Sequence, residues 1–255
     1  MILGGCFMLF KLIGLMFLCG MSSLCVALPE GPVAVLGSAE LLTHQDTLVV
    51  RQDSASLIID WQKFDISASE LVHFVMPESK NVAINRVVGT FAPSQISGRL
   101  LSNGEIILLN PAGVVFGPHA FVDVAALMAS SAMPSDLLGK NTDWHLDSNA
   151  GDIVNQGTLH IAKGGSVLFL GANARQQGQI LGNNLTVLLL SGDQGLAFLH
   201  AGLAQDQQAL SAIPLQTQQY GDNQVISVGG LPAVINMDGI AAQNVVDAGH
   251  LLSLL

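Results

Sequence analysis

The sequence predicts an all-β protein built as a parallel β-helix, a coil in which each short strand stacks on a strand of the preceding turn. Composition is the first reason: of 255 residues, 11% are charged and 5% aromatic, while glycine occurs 27 times. Such a mixture favours many short strands joined by turns. The other two reasons are a repeat of about 20 residues and apolar runs without in-and-out alternation.

The repeat is clearest in the second half of the chain. NQGTLHIAKGGSVLFLGA, from Asn155, is echoed by QQGQILGNNLTVLLLSGD, from Gln176. Gly157 and Gly178 lie 21 positions apart. At roughly 3.3 Å per strand residue, about 20 residues make one turn of three short strands. A weaker third copy, NMDGIAA, begins at Asn236.

The apolar runs IILL, VLFL and VLLL separate two architectures. A stack of hairpins is the alternative, because Asn103-Gly104 is a strong hairpin signal. In an antiparallel sheet with one solvent-exposed face, apolar and polar residues alternate along each strand. Strands of parallel sheets are often covered on both faces and need not alternate. These runs do not alternate. Stacked parallel strands are therefore favoured.

Strands are expected from the amino-terminal half onward. Residues 33–36, 48–50 and 57–59 are short apolar or β-branched runs separated by Gly, Ser, Asp and Gln. The runs LVHFVM and NVAINRVVG continue the pattern, and no long helix is needed.

Two stretches interrupt the rhythm, residues 133–151 and the Gln-rich residues 203–224. Both are expected to leave the coil as surface excursions. Neither has the composition of an interdomain linker, so residues 28–255 are interpreted as one domain.

The first 27 residues are interpreted as a signal peptide. They are apolar apart from Lys11 and two serines, and Cys25-Val26-Ala27 offers the small residues of a cleavage site. A retained membrane anchor is the alternative, because Lys11 is the only charge. The three cysteines, Cys6, Cys19 and Cys25, all lie in this leader, so the mature fold is expected to hold without disulfides.

The acidic balance argues against nucleic acid as a partner. Without the leader, 8 basic and 19 acidic residues remain, a formal net charge of −11. Phosphate backbones are bound by clustered Lys and Arg.

Asn110-Pro111-Ala112-Gly113 fits a type I turn. Asn is favoured at the first position, Pro presets φ at the second, and Gly is common at the fourth. A turn this tight lets residues 106–109 and 114–116 belong to successive faces of one coil.

The order of the motifs IIDWQKFDIS, AINRVVG and SQISGRLLSNGEIILLNPAGVVFG resembles the amino-terminal secretion domain of the filamentous haemagglutinin family, exoproteins of two-partner secretion in Gram-negative bacteria. The similarity is strong over residues 28–131 and looser beyond. It implies a right-handed parallel β-helix, a single-stranded solenoid, capped at its amino end by extra strands. In the family's usual Asn-Pro-Asn-Gly motif, Ala112 replaces the second asparagine here. The family's second motif, Asn-Pro-Asn-Leu, has no convincing match.

The resemblance also implies a function without a chemical step. Such a chain passes the periplasm, is recognised by an outer-membrane transporter with POTRA domains, and folds at the cell surface as a secreted exoprotein linked to adhesion or haemagglutination. A host-cell receptor or glycan is a further partner, and no cofactor or metal is expected. The residues expected to carry recognition, or the turn that it requires, are Asn85, Arg86, Asn110, Pro111 and Gly113.

Alternative functions differ in the residues that they need. A short stand-alone adhesin or glycan-binding module remains open. A polysaccharide lyase, which shares the β-helix, needs acidic and basic residues converging on one groove, and none is apparent. Asp143, His145 and Asp147 alternate as they would on one strand face, a pattern that a cation site could use. Asp60-Trp61 is similar to an Asp-Trp pair of the family, and we expect these two residues to pack against the fold.

Overall fold

A computed structural model describes residues 28–136, 143–204, 207–212, 215–220 and 223–228. The predicted signal peptide and the third repeat copy lie outside these described residues.

The described chain is almost entirely short β-strands. In chain order the elements are β1 (Val33–Leu36), β2 (Ala39–His44), β3 (Thr47–Gln52), β4 (Ser56–Trp61), β5 (Leu71–Val75), β6 (Val82–Val87), β7 (Ser94–Ile96), β8 (Arg99–Ser102), β9 (Glu105–Leu109), β10 (Val114–Phe116), β11 (Phe121–Val124), β12 (Ala126–Ser130), β13 (Met133–Pro134), β14 (Trp144–His145), β15 (Ile153–Asn155), β16 (Thr158–Ile161), β17 (Ser166–Gly171), β18 (Ala174–Gln176), β19 (Gln179–Leu181), β20 (Thr186–Ser191), α1 (Gly192–Leu203), α2 (Gln207–Ala212), β21 (Leu215–Tyr220) and β22 (Asn223–Val228).

Three sheets form the walls of a coil of about six turns. The nine-stranded sheet has the order β1-β4-β6-β9-β12-β17-β20-β22-β21, the four-stranded sheet β18-β15-β10-β7, and the seven-stranded sheet β19-β16-β11-β8-β5-β3-β2. Each full turn contributes one strand to each sheet, as β15, β16 and β17 do, and β18, β19 and β20 form the next turn. The parallel β-helix predicted from the sequence is confirmed.

The register between turns confirms the repeat length. Ser166 of β17 pairs in parallel with Thr186 of β20, 20 positions later. Thr158 of β16 pairs in parallel with Gln179 of β19, 21 positions later. The hairpin alternative would require antiparallel neighbours here, and it is wrong.

Antiparallel strands cap the amino-terminal end of the coil. β1 pairs antiparallel with β4, and β2 pairs antiparallel with β3, so both long sheets end in a reversed strand. All four residues of β1 are exposed. The amino-terminal cap implied by the family resemblance is therefore present.

The interior of the coil is apolar and aromatic. The largest fully buried side chains include Trp61, Phe64, Phe116 and Phe169. The Trp61 and Phe64 rings meet edge to face with centroids 5.4 Å apart, and the Phe116 and Phe169 rings are stacked at 6.0 Å. Aromatic pairs of this kind stabilise a core beyond their buried area.

The nine-stranded sheet is covered on both faces. In β9, Ile106 and Leu108 belong to the interior core, while Ile107 and Leu109 belong to a second apolar cluster. Trp144 of β14 and Phe198 and Leu199 of α1 complete that second cluster. The unalternating runs IILL, VLFL and VLLL are therefore explained by burial on two sides, as predicted.

Both excursions form this outer cover. The first was correctly placed, and it carries the antiparallel pair of β13 and β14. The second begins at Gly192 rather than at residue 203, and it opens with the 12-residue helix α1, which the sequence did not predict. The backbone N–H of Trp144 donates to Nε2 of His200, 3.2 Å away, and this bond joins the two excursions. Within the described ranges, no helix combines the length and apolar character needed to cross a membrane.

A pair of leucine substitutions tests the double cover. Leu168 points to the outer cluster of the nine-stranded sheet and is buried, whereas Leu101, in the seven-stranded sheet, is partly exposed. We expect Leu168→Ala to lower the free energy of unfolding by about 2–4 kcal/mol and Leu101→Ala by about 1 kcal/mol. Urea unfolding of the purified variants measures both values, and equal losses would contradict the cover.

Candidate functional site

The motif Asn110-Pro111-Ala112-Gly113 forms the corner between the nine-stranded and four-stranded sheets. It joins β9 to β10. The backbone N–H of Gly113 donates to the carbonyl oxygen of Asn110 at 2.8 Å, which closes the four-residue turn. The N–H of Ala112 donates to Oδ1 of Asn110 at 2.9 Å. The predicted tight turn is confirmed, and it forms although Ala112 has no side-chain amide.

The Asn110 side chain also bonds this four-residue β-turn to the preceding coil of the β-helix. Its Nδ2 donates to the carbonyl oxygen of Ala92 and to Oγ of Ser94, both at 3.1 Å. The residue is fully buried. Each polar atom of this amide therefore has a partner inside the folded coil.

Backbone hydrogen bonds join the same β-turn to the following coil of the β-helix. The N–H of Gly151 donates to the carbonyl oxygen of Pro111 at 2.9 Å, and that of Val114 to the carbonyl oxygen of Asp152 at 3.1 Å. Gly113 has φ of +103°, and a Cβ atom there would lie 2.5 Å from the Asp152 oxygen. Glycine is required at this position by both conformation and space.

Asn85 lies on β6 and faces the interior. The indole Nε1 of Trp61 donates to Oδ1 of Asn85 at 3.0 Å. The Nδ2 of Asn85 donates to the carbonyl oxygens of Ala83 and Ile107 at 3.3 and 3.4 Å. A buried indole N–H needs such an acceptor, so Asn85 holds Trp61 in the core.

Arg86, the next residue, faces outward and pairs with Asp60 on the neighbouring strand β4. Arg86 Nε donates to one carboxylate oxygen of Asp60 at 2.6 Å, and Nη2 donates to the other at 2.8 Å. The side chains are 25% and 22% exposed. Asp60 therefore forms an ion pair with Arg86. The packing role expected for Asp60-Trp61 is found only at Trp61, which is fully buried.

A double-mutant cycle measures this ion pair. We expect a coupling energy of about 1 kcal/mol between Arg86→Ala and Asp60→Ala. The two hydrogen bonds of the pair strengthen it, and its partial exposure to solvent weakens it. Arg86→Lys should recover less than half of the coupling, since a lysine ammonium cannot bond both oxygens in the same way. Chemical unfolding of the four proteins gives the cycle. A coupling of zero would mean that the pair contributes nothing.

The five candidate residues lie together on adjacent turns. Arg86 of β6 pairs in register with Leu109 of β9, the residue before Asn110. Asn85, Asn110 and Gly113 are buried, whereas Arg86 and Pro111 are partly exposed. The folded protein thus presents little of this motif at its surface.

The Asp143, His145 and Asp147 pattern does not form a strand face with three side chains. β14 consists of Trp144 and His145 alone. Asp147 instead organises a local turn, where its Oδ1 accepts from the N–H of Asn149 at 3.1 Å. In the described ranges no group of three or more His, Cys, Asp or Glu residues is placed to hold a metal ion.

A family model, curated proteins and a solved structure are similar to this chain. The family model described as the TPS secretion domain matches residues 30–249. A heme/hemopexin-binding protein of Haemophilus influenzae is 39% identical over 104 residues, 41% of this chain and 11% of that protein, and a second sequence of the same name and species is 38% identical over 104 residues, 40% of this chain and 11% of that protein. The crystal structure of the HMW1 secretion domain from Haemophilus influenzae superposes with a TM-score of 0.58 and 28% identity, covering 64% of this chain and 45% of that chain. The match thus spans a small part of the curated relatives and under half of the solved chain.

Proposed function

Because the chain belongs to the TPS secretion domain family, we propose that an outer-membrane transporter with periplasmic POTRA domains recognises it before it folds. The chain is the secretion domain of a two-partner secretion exoprotein. No chemical step is part of this function. Residues 1–27 would direct the chain to the periplasm as a cleaved signal peptide, and residues 28–255 would be the secretion domain.

The observation that carries the proposal is the burial of the motif. Asn85 and Asn110 are fully buried, and their side-chain amides bond within the coil. A partner cannot reach these amides once the coil has closed. If Asn85, Arg86, Asn110, Pro111 and Gly113 are read by a transporter, they are read while the chain is extended.

Strand addition is the physical mode proposed for this step. An extended segment such as residues 82–87 pairs its backbone with an exposed sheet edge of a POTRA domain, and alternate side chains add specificity. β6 alternates buried and partly exposed side chains, so an extended segment there presents two chemically different faces.

Folding outside the cell then favours export. Each new turn of the coil forms parallel backbone hydrogen bonds with the previous one, as β17 does with β12 and β20 with β17. Each bond contributes about 0.5–1.5 kcal/mol net. A chain that folds turn by turn at the surface cannot slide back, so no nucleotide hydrolysis is required.

Secretion assays with a co-expressed transporter test the proposal. We expect Asn110→Ala and Arg86→Ala to reduce export to the medium several-fold. Asn155→Ala is the matched control, because Asn155 is also fully buried and its amide bonds to Gln176 Oε1 and the Gly157 N–H, but it lies outside the motif. Its replacement should weaken the fold to a similar degree but reduce export less than the two motif variants do.

Unfolding free energies of the three purified variants separate recognition from stability. Export that falls in proportion to stability in all three would mean that the motif serves folding alone. Binding of the isolated POTRA domains to urea-unfolded chain, but not to folded chain, is the direct expectation. Equal binding to folded chain would reject recognition before folding.

Adhesion is a second candidate, favoured by the outer face of the seven-stranded sheet. Phe121 is 37% exposed there, and the neighbouring Asp123 and His160 side chains are 2.9 Å apart. An exposed ring beside polar groups is a common saccharide-binding arrangement. Binding of purified protein to red cells or a glycan array, lost in Phe121→Ala, would support it.

A further inference from the structure

The loop between β6 and β7, residues 88–93, carries a fully exposed aromatic side chain. Phe91 has a relative exposure of 102%, whereas the other exposed large apolar side chains of the described residues lie between 37% and 59%. Val88, Ala92 and Pro93 are exposed in the same loop, which contains no charged residue. Contiguous exposed apolar residues mark interaction sites. The coil itself gains no burial from the Phe91 ring.

Hydrogen bonds hold both ends of this loop in the folded coil. At its start the backbone N–H of Val88 donates to the carbonyl oxygen of Trp61 at 2.9 Å. At its end Nδ2 of Asn110 donates to the carbonyl oxygen of Ala92 at 3.1 Å. The N–H of Ala92 also donates to Oγ1 of Thr90 at 3.1 Å, which bends the chain between them. The loop therefore cannot extend once the coil has closed.

An extended chain arranges the same segment differently. Successive side chains of a strand point to opposite faces, so Asn85 and Phe91 lie on one face of an extended segment and Arg86 lies on the other. At roughly 3.3 Å per residue, Phe91 is about 20 Å beyond Asn85 along the strand. The segment proposed to add to a POTRA sheet edge, residues 82–87, thus continues directly into this aromatic residue.

We propose that Phe91 is the apolar anchor of the extended chain on the transporter, with its ring in an apolar pocket beside the sheet edge to which residues 82–87 add. This inference rests on the transporter recognition proposed above and names the residue that supplies most of its affinity. Aromatic side chains in desolvated pockets dominate the free energy of many interfaces. On folding, Asn85 and Asn110 gain partners in the coil, whereas the Phe91 ring stays exposed.

Phe91→Ala separates recognition from folding better than the motif variants do. Because the ring is fully exposed, its removal should leave the urea midpoint of the purified chain unchanged. Export with a co-expressed transporter should nevertheless fall several-fold. The affinity of the isolated POTRA domains for urea-unfolded chain should fall about ten-fold. Phe91→Leu, which keeps most of the apolar side chain, should recover more than half of the export.

Leu42→Ala is the matched control. Leu42 is 41% exposed, but it lies on β2 in the seven-stranded sheet, outside residues 82–93. Its replacement should change neither export nor the affinity of the POTRA domains. Equal losses in Phe91→Ala and Leu42→Ala would overturn the anchor, because any exposed apolar residue would then have the same effect.

The export assay also distinguishes this inference from the function on which it rests. Normal export of Phe91→Ala with reduced export of Arg86→Ala and Asn110→Ala would overturn the anchor and leave transporter recognition standing. Normal export of all three variants would reject both. Binding of the folded protein to phosphatidylethanolamine and phosphatidylglycerol vesicles, lost in Phe91→Ala while the affinity of the POTRA domains is unchanged, would place the ring at a membrane and overturn the anchor.

Discussion

Replacing Gly113 by alanine is expected to destabilise the coil by about 3 kcal/mol or more, and to lower the yield of folded protein. The backbone φ of +103° costs an L-residue roughly 1–2 kcal/mol. The remainder comes from the new Cβ atom, which would lie 2.5 Å from the carbonyl oxygen of Asp152. That oxygen already accepts from the N–H of Val114, so the two turns must separate to make room. Urea unfolding monitored by tryptophan fluorescence measures the loss.

Gly164→Ala is the matched control for this prediction. Gly164 also has positive φ, +76°, but no atom lies within 4 Å of a Cβ built there. Its replacement should cost only the conformational part, about 1 kcal/mol. If the two variants lose the same stability, the close approach between turns at Gly113 has no energetic weight.

The corner at Gly113 was predictable because its determinants are local. Asn, Pro and Gly at fixed positions specify a turn through bonds among four residues, and the structure contains those bonds. The turn length was predictable for a similar reason, since stacking in register forces the sequence to repeat at the period of the coil. Unalternating apolar runs indicated the double cover without revealing what covers the outer face.

The outer cover was beyond sequence reasoning, whereas the cross-turn polar contacts were missed although an alignment of successive turns could have found them. The helix α1 starts at Gly192, directly after β20, and its burial depends on an apolar sheet face built by distant strands. Asp60 and Arg86 lie 26 positions apart, and their contact depends on the register between β4 and β6. Aligning the runs SLIIDW and VAINRV would have placed the two charges side by side. The pairing of Asn155 with Gln176 could have been found in the same way.

The candidate residues serve the fold and the proposed export step at different times. Asn85 binds Trp61 in the core, Arg86 binds Asp60 on the outer face, and Asn110 binds the preceding turn. Each contact joins neighbouring turns rather than residues within one turn. These side chains therefore gain their cross-turn partners only when successive turns stack, and the fully buried Asn85 and Asn110 are accessible to another protein only before that.

Asn110→Ala carries the second large expected effect, a loss of about 2–4 kcal/mol of unfolding free energy. The substitution removes the acceptor of the Ala112 N–H and the donor to the Ala92 oxygen and Ser94 Oγ. Three groups then lose a partner, and the substituted Asn110 and its partner Ser94 are both buried, which is why the loss exceeds that of one exposed hydrogen bond. The measurement is urea unfolding of the purified chain, with amide hydrogen exchange at Ala92, Ser94 and Ala112 reporting local opening.

Asn149→Ala provides the comparison, because Asn149 also sits in a turn but is exposed. It should change the unfolding free energy by less than about 0.5 kcal/mol. The two results together decide what the Asn-Pro-Ala-Gly motif contributes. If Asn110→Ala is as mild as Asn149→Ala, the buried amide does not join the turns energetically, and a role in recognition would have to be sought apart from the folding of the coil. If the loss is large and exchange rises at Ala92 and Ser94, the motif links adjacent turns through the Asn110 side chain, as its bonds in the coil require.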